Sequence, residues 1–177
     1  MIKISKTFWA WQLDKEQEWL EQKAKEGLIL KRVSFFTYYF ERAEPMDLVY
    51  QFDFRVLSKK DKDEYVEMFK EWTLVCQYGS WFYFSKIREG DNRDKIYSDN
   101  ESYKNMFRRL LIFLGIIGFP LYYQLVIFFP NMESSEFIFP SFYFFHRILV
   151  IILVILYSTA VINVLLKYSS FRKHINE

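Results

Sequence analysis

The stretch from Ser34 to Val56 reads SFFTYYFERAEPMDLVYQFDFRV, and eight of its residues are Phe or Tyr. Six charged residues in the same stretch exclude a membrane span, because charged side chains are rare inside one. The second part, LVYQFDFRV, alternates apolar and polar side chains, and this period of two predicts a half-buried strand. The first part, SFFTYYF, carries aromatic residues on both of its predicted faces.

Two segments around this stretch share one pattern. DKEQEWLEQKAKEGLILKRVSFFTYYF starts at Asp14, DKDEYVEMFKEWTLVCQYGSWFYF starts at Asp61, and each predicts one helix capped by its first aspartate and followed by two strands. We predict a further strand before each helix, KTFWAW (6–11) and LVYQFDFRV (48–56). The sequence therefore predicts an α+β fold of duplicated strand-helix-strand-strand units, which form an antiparallel sheet with two helices.

The predicted strands carry more aromatic residues than two helices on one face of a sheet can cover. Each aromatic side chain buries roughly 150–250 Å², so few positions supply a large core. Rings on an uncovered face need a ligand, a partner, a lipid headgroup layer or each other. The candidate ligand-binding residues are Trp9, Trp11, Tyr38, Tyr50, Asp53 and Trp81. Asp53 is the expected counter-charge for a cationic ligand that the ring faces would hold.

These candidates also have structural interpretations. Asp53 can be a solvent-facing side chain paired with Arg55, and the two tryptophans can pack in the core of the sheet. The acidic residues of the first helix alternate with lysines and are expected to form a solvated face. They are Glu16, Glu18 and Glu21.

Two long uncharged stretches lie near the C-terminus. LLIFLGIIGFPLYYQLVIFF covers residues 110–129, and ILVIILVILYSTAVINVLL covers residues 148–166. Helices of this length reach roughly 30 Å, enough to cross the hydrocarbon core of a bilayer. We predict a two-helix transmembrane hairpin, with Gln124 and Asn163 as the polar residues that join its helices.

The predicted organisation is a cytoplasmic α+β recognition domain (1–90), a basic juxtamembrane linker (91–109), a first span (110–129), a short outer loop (130–147), a second span (148–166) and a cytoplasmic tail (167–177). Lysines and arginines lie in the linker and the tail, whereas the loop contains only Arg147. By the positive-inside rule, both termini are expected to face the cytoplasm.

Charge and motif content narrow the functional classes. Residues 1–96 contain 17 basic and 17 acidic side chains, and this balance argues against nucleic acid as a partner. Cys76 is the single cysteine, and the sequence has neither a glycine-rich phosphate loop nor a Cys/His cluster. We therefore expect a protein that is not an enzyme and that uses no metal and no cofactor.

Four elements of the front half resemble a bacterial family, domain of unknown function 2812. They are FWAWQLDKEQEWLEQKAKEGLIL, YYFERAEP, LVYQFDF and WFYFSK, and the resemblance covers residues 4–88. It implies membrane spans after the domain, a bacterial inner membrane and PadR-type transcription regulators encoded nearby, but it assigns no site. Paired strand-helix-strand-strand units also resemble GyrI-like drug-sensing modules, which bind apolar, often cationic molecules in an aromatic-lined cleft between the copies.

Two functional hypotheses follow. In the first, the chain is a sensing or interaction module anchored in the lipid bilayer, which binds an apolar, amphipathic or cationic small molecule or a regulatory protein. In the second, it is an accessory structural subunit of a membrane complex, such as a transporter, and the hairpin is its functional interface.

Overall fold

The computed structural model describes residues 1–90, 100–132 and 140–173. The chain divides into two compact units, residues 1–106 and 107–177. The elements of the first unit before residue 90 are β1 (Ile2–Ser5), α1 (Leu13–Lys25), β2 (Leu28–Ser34), β3 (Thr37–Arg42), β4 (Leu48–Phe54), α2 (Lys59–Glu67), β5 (Thr73–Tyr78) and β6 (Trp81–Ile87). The predicted strand-helix-strand-strand order therefore occurs twice, and the α+β class is confirmed.

The strands form two three-stranded antiparallel sheets, one from each strand-helix-strand-strand segment, here called a copy. The strand orders are β1-β3-β2 and β4-β6-β5, so both copies have the same topology. The edge strands β2 and β5 contact each other. The six strands are thus divided between two small sheets that meet along one pair of edges.

The first strand lies earlier in the chain than the pattern KTFWAW predicts. β1 pairs with β3 from Ile2 opposite Phe40 to Ser5 opposite Thr37. Because β3 begins at Thr37, residues after Ser5 have no strand left to pair with, apart from one bond between the backbone amide of Lys6 and the Phe36 carbonyl (3.2 Å). Residues 6–11 instead lead into α1 through a turn.

Both helices begin before the aspartates that were predicted to cap them. α1 follows Gln12, whose side chain makes no capping bond to the helix. α2 follows Ser58, whose hydroxyl accepts from the Asp61 amide and donates to the Asp61 carboxylate (2.7 Å). Ser58 with Asp61 is therefore the capping pair of α2.

The two helices cover opposite faces of the second sheet. α1 packs against β2 and β4, and it buries Leu13, Leu20 and Ala24, which lie at helical spacing. α2 packs Tyr65 against Phe82 on the other face, with ring centroids 5.1 Å apart. Since β4 lies between the two helices, all seven of its residues are buried, and the expectation of a half-buried strand is wrong.

The outer face of the first sheet is exposed and basic. Tyr39 points to this face, opposite to Tyr38 and Phe40. Lys3 lies 5.7 Å from the Tyr39 ring centroid, and the Arg32 guanidinium lies 4.2 Å from it. The second face of SFFTYYF is therefore covered by cationic side chains of the same sheet.

The C-terminal half contains two helices that are long and apolar enough to cross a membrane. α3 (Asn100–Tyr123) contains Pro120 and continues as a π-helical segment (Gln124–Phe128) and a 3-10 turn (Phe129–Asn131). α4 (Pro140–Lys173) begins eight residues before the predicted second span. Residues 133–139 of the predicted outer loop and residues 174–177 of the predicted tail lie outside the described residues.

The polar groups that join the two helices of the second unit differ from the predicted Gln124 and Asn163. The Tyr157 hydroxyl donates to the Leu114 carbonyl, and the hydroxyls of Tyr122 and Ser158 are 2.7 Å apart. Asn163, in contrast, donates to the Thr159 carbonyl of its own helix. Tyrosine and serine hydroxyls therefore connect the hairpin.

Candidate ligand-binding site

A cavity of about 220 Å³ opens in the first unit between equivalent parts of the two copies. The segment before and within α1, the β2–β3 hairpin and the β5–β6 hairpin form its walls. Eight of the fourteen lining residues are aromatic, and only two carry a charge. The lining residues are Lys6, Phe8, Trp9, Ala10, Leu13, Glu16, Val33, Ser34, Phe35, Phe36, Tyr38, Tyr78, Trp81 and Tyr83.

Among the described residues that line the cavity, Glu16 supplies the only carboxylate. It is 5% exposed, and its Oε1 accepts hydrogen bonds from the hydroxyls of Tyr38 (2.6 Å) and Tyr83 (3.1 Å). Within the described part of the chain, Glu16 has no lysine or arginine partner, and its Oε2 accepts no protein hydrogen bond. A buried acid that lines a cavity and is paired with no cation is chemically available to a ligand.

Burial raises the pKa of Glu16 above its ordinary value of 4.5, and the hydrogen bonds from the two tyrosines oppose this rise. Burial, followed by the negative charge of Glu16, also raises the pKa values of Tyr38 and Tyr83. Both hydroxyls therefore remain protonated donors. Glu16 is therefore the group that titrates among these three hydrogen-bonded residues, and a cation beside it would favour its ionised form.

The position of Glu16 follows from the spacing of α1. Leu13, Leu20 and Ala24 occupy its buried stripe, and Glu16 lies three residues after Leu13 and four before Leu20. Residues three and four apart share one face of a helix. Glu16 is thus held on the core face of α1, and the two tyrosines satisfy one of its oxygens.

The Lys6 ammonium group of the cavity wall already lies near two aromatic rings, of which Phe8 lines the wall and Trp19 does not. The Lys6 Nζ lies 5.0 Å from the centroid of Phe8 and 4.8 Å from that of Trp19. Such distances are within the range over which a ring face attracts a cation. The cavity wall therefore combines an aromatic ring that attracts a cation with a buried acid.

Three of the six predicted site residues line this cavity, namely Trp9, Tyr38 and Trp81. Trp11 stacks against Trp9 at 5.4 Å, with the ring planes 3° apart, but it does not line the wall. Tyr50 is fully buried, and its hydroxyl oxygen accepts from the Leu30 amide at 3.4 Å. Burial raises the pKa of Tyr50 to about 12.

Asp53 lies on the face of β4 that points away from the cavity. Its neighbour Phe52 is opposite the cavity residue Tyr83, so Asp53 points toward α2. Asp53 is 0% exposed, and it accepts from the Phe54 amide (2.8 Å), from Arg55 Nε (3.2 Å) and from the Tyr65 hydroxyl. The pairing with Arg55 is present as expected, but the carboxylate is buried instead of solvent-facing.

The sequence interpretation missed Glu16 and Tyr83. Glu16 was assigned to a solvated helix face together with Glu21, yet both are buried. The helical spacing of Glu16 within the apolar stripe was the available signal. No local pattern pointed to Tyr83, because it is 67 residues from its partner Glu16.

Residues 12–119, more than half of the chain, match a family described as Protein of unknown function (DUF2812). The chain belongs to the DUF2812 family. The DUF2812 match includes Glu16, Tyr38 and Tyr83, it begins after Trp9 and Trp11, and it continues into α3. No curated protein and no solved structure matches the chain, so the function of this DUF2812 protein is argued from its geometry.

Proposed function

We propose that this DUF2812 protein is a membrane-anchored sensing module that binds a small amphipathic organic cation in the Glu16 cavity. The observation that carries the proposal is a buried carboxylate, without a cationic partner among the described residues, in a wall of aromatic rings. Aromatic cages with a nearby negative charge are suited to quaternary ammonium groups. The role is binding and not catalysis, and a regulatory protein that responds to the bound state would complete the sensor.

The Coulomb attraction between Glu16 and the ligand supplies the specificity for a cation. Two opposite charges about 4 Å apart, at an effective dielectric constant of about 20, attract by about 4 kcal/mol. Because the cavity is open to solvent on one side, we take about 2 kcal/mol, which corresponds to about 30-fold in affinity. The ring faces and the apolar wall would bind the remainder of the ligand.

The membrane part of the proposal places both termini in the cytoplasm of a bacterial cell and the hairpin in its inner membrane. It is supported by the two apolar helices and by the distribution of basic residues on either side of them. The ligand would then be sampled from the cytoplasm. Reporter fusions at the two termini test this orientation, and an N-terminal fusion that is active only outside the cell would contradict it.

The binding test uses the full chain in lipid nanodiscs and benzyltrimethylammonium as the probe. Quenching of tryptophan fluorescence reports binding, because Trp9 and Trp81 line the cavity. We expect saturable binding to the unchanged protein and an affinity about 30-fold lower for Glu16→Gln. The amide of Gln still offers a carbonyl oxygen to Tyr38 and Tyr83, so the substitution changes mainly the charge.

Glu18→Gln is the matched control, because Glu18 lies on the same helix but is exposed. Its affinity should equal that of the unchanged protein. Neopentylbenzene, the uncharged carbon isostere of the probe, should bind Glu16→Gln and the unchanged protein equally. Equal affinities of the cation for the Glu16 and Glu18 variants would refute the proposed site, and partition of the probe into lipid cancels in that comparison.

A further inference from the structure

The tips of the two equivalent hairpins differ in chemistry. In the first copy, the pair Ser34 and Thr37 closes a two-residue tip, Phe35–Phe36. In the second copy, the pair Tyr78 and Trp81 closes the tip 79–80, which is Gly-Ser. One copy therefore has two aromatic side chains at a position where the other has small residues.

The aromatic tip is unfavourable by two local criteria. Phe36 has a φ of 52°, in the left-handed region that bulky L residues rarely adopt, whereas the second tip uses Gly79 at a φ of 57°. Phe35 is 70% exposed and Phe36 is 45% exposed, with ring centroids 4.1 Å apart. Strain and exposure at one place indicate a role outside the core.

The surroundings of this tip are basic. The strands of the first sheet carry four basic residues (Lys3, Lys31, Arg32 and Arg42) and one acidic residue, Glu41, which pairs with Lys31. The strands of the second sheet carry one acidic and one basic residue, Asp53 and Lys86. The positive charge is thus concentrated on the sheet that bears the aromatic tip.

A third exposed ring extends this surface. Trp9 is 52% exposed and lines the same cavity as Phe35 and Phe36, and Lys6 lies beside it. Aromatic side chains flanked by lysine and arginine are the combination that favours the interface of an anionic bilayer. The same chain carries two helices that can cross a membrane, so a bilayer is a surface that it meets.

We propose that the Phe35–Phe36 tip and Trp9 insert into the interfacial layer of an anionic phospholipid bilayer, with Lys3, Lys6 and Arg32 beside the headgroups. The cavity entrance then opens at the lipid interface, where amphipathic cations concentrate. This inference rests on the membrane association proposed above and not on the identity of the ligand.

The test measures immersion of the tip in the full chain. In a Cys76→Ala background, Phe35→Cys carries a nitroxide label, and Ser80→Cys carries the same label at the second tip as the matched control. Collision rates with oxygen and with a water-soluble nickel chelate are compared in nanodiscs of anionic and of zwitterionic phospholipid. In anionic nanodiscs, the label at position 35 should collide mainly with oxygen and the label at position 80 mainly with nickel.

Replacement of the three basic residues by glutamine should shift the label at position 35 toward the nickel chelate. The inference is overturned if the label at position 35 is as accessible to nickel in anionic nanodiscs as the control label. It is also overturned if the label is shielded from both reagents, since that pattern indicates contact with a protein surface. Titration of the unlabelled chain with benzyltrimethylammonium in detergent tests the ligand site without a bilayer. Binding there, without immersion of the tip in nanodiscs, shows that the membrane inference fails and the ligand site does not.

Discussion

Because the carboxylate of Asp53 is buried, we predict that loss of the Tyr65 hydroxyl lowers the free energy of unfolding substantially. Tyr65→Phe removes the hydroxyl that donates to Asp53, but a phenylalanine ring keeps the contacts with Phe69 and Phe82 and the stack with Arg55, 4.8 Å from the ring centroid. A hydrogen bond to a charged group contributes about 1.5–3 kcal/mol. We therefore expect the free energy of unfolding to fall by that amount.

For a domain of this size, such a loss lowers the melting temperature by about 6–24 °C. Thermal unfolding of the full chain in nanodiscs, followed by near-ultraviolet circular dichroism, measures the shift. Tyr39→Phe is the control, because the Tyr39 hydroxyl makes no hydrogen bond to the described residues, and its change should stay within about 0.5 kcal/mol. Equal shifts for the two variants would refute the assignment of Asp53 to a structural network.

Two glycines give further predictions. Gly27→Ala should destabilise the first unit by more than about 1 kcal/mol, because a Cβ would lie 2.7 Å from a backbone carbonyl oxygen. Gly90→Ala has the same φ of 76°, but its Cβ would meet no atom of the described residues within 4 Å, so its smaller shift in melting temperature measures the backbone strain alone. Gly118→Ala should loosen the helix pair, because a Cβ would lie 2.5 Å from the ring of Tyr157, whereas Gly115→Ala meets no atom within 4 Å. In detergent, the melting temperature of Gly118→Ala should be lower than that of Gly115→Ala. The reverse order would contradict the packing of the two helices.

The sequence predicted the repeated order of elements because the periodicities are local. Leu13, Leu20 and Ala24 mark the buried face of α1 by spacing alone, and the alternation after Leu48 marks β4 as a strand. The division into two sheets was not predictable in this way. It depends on which strand edges hydrogen-bond, and no local pattern distinguishes a six-stranded ladder from two three-stranded ones.

The candidate site was predicted in part for a related reason. Aromatic content pointed to Trp9, Tyr38 and Trp81, which line the cavity, whereas the predicted counter-charge, Asp53, does not line it. An acid beside an arginine in a strand resembles a surface pair, and only the packing of α2 on that face buries Asp53. Helical spacing places Glu16 on the core face of α1, but its contact with the distant Tyr83 depends on the tertiary fold.

Membrane insertion of the hairpin was predicted from length and apolar composition, properties that a helix in lipid requires whatever its partners are. The polar contacts between the two helices were not predicted. A hydroxyl such as that of Tyr157 reaches a carbonyl of the other helix only where a small residue allows the close approach.

The most direct measurement of the central claim is the pH dependence of benzyltrimethylammonium affinity. Since burial raises the pKa of Glu16 above 4.5, the carboxyl group is neutral at low pH and becomes charged as the pH rises through that pKa. Burial raises the pKa values of Tyr38 and Tyr83, so both hydroxyls stay protonated in this range, and Glu16 is the carboxyl group among the described residues of the wall.

The account predicts that affinity for the unchanged protein rises by about 30-fold in all as the pH rises through the pKa of Glu16, and that it levels off on either side. The Glu16→Gln protein should bind weakly and with a flat profile over the same range. A profile that rises equally in both proteins, or stays flat in both, would contradict a ligand site built around Glu16.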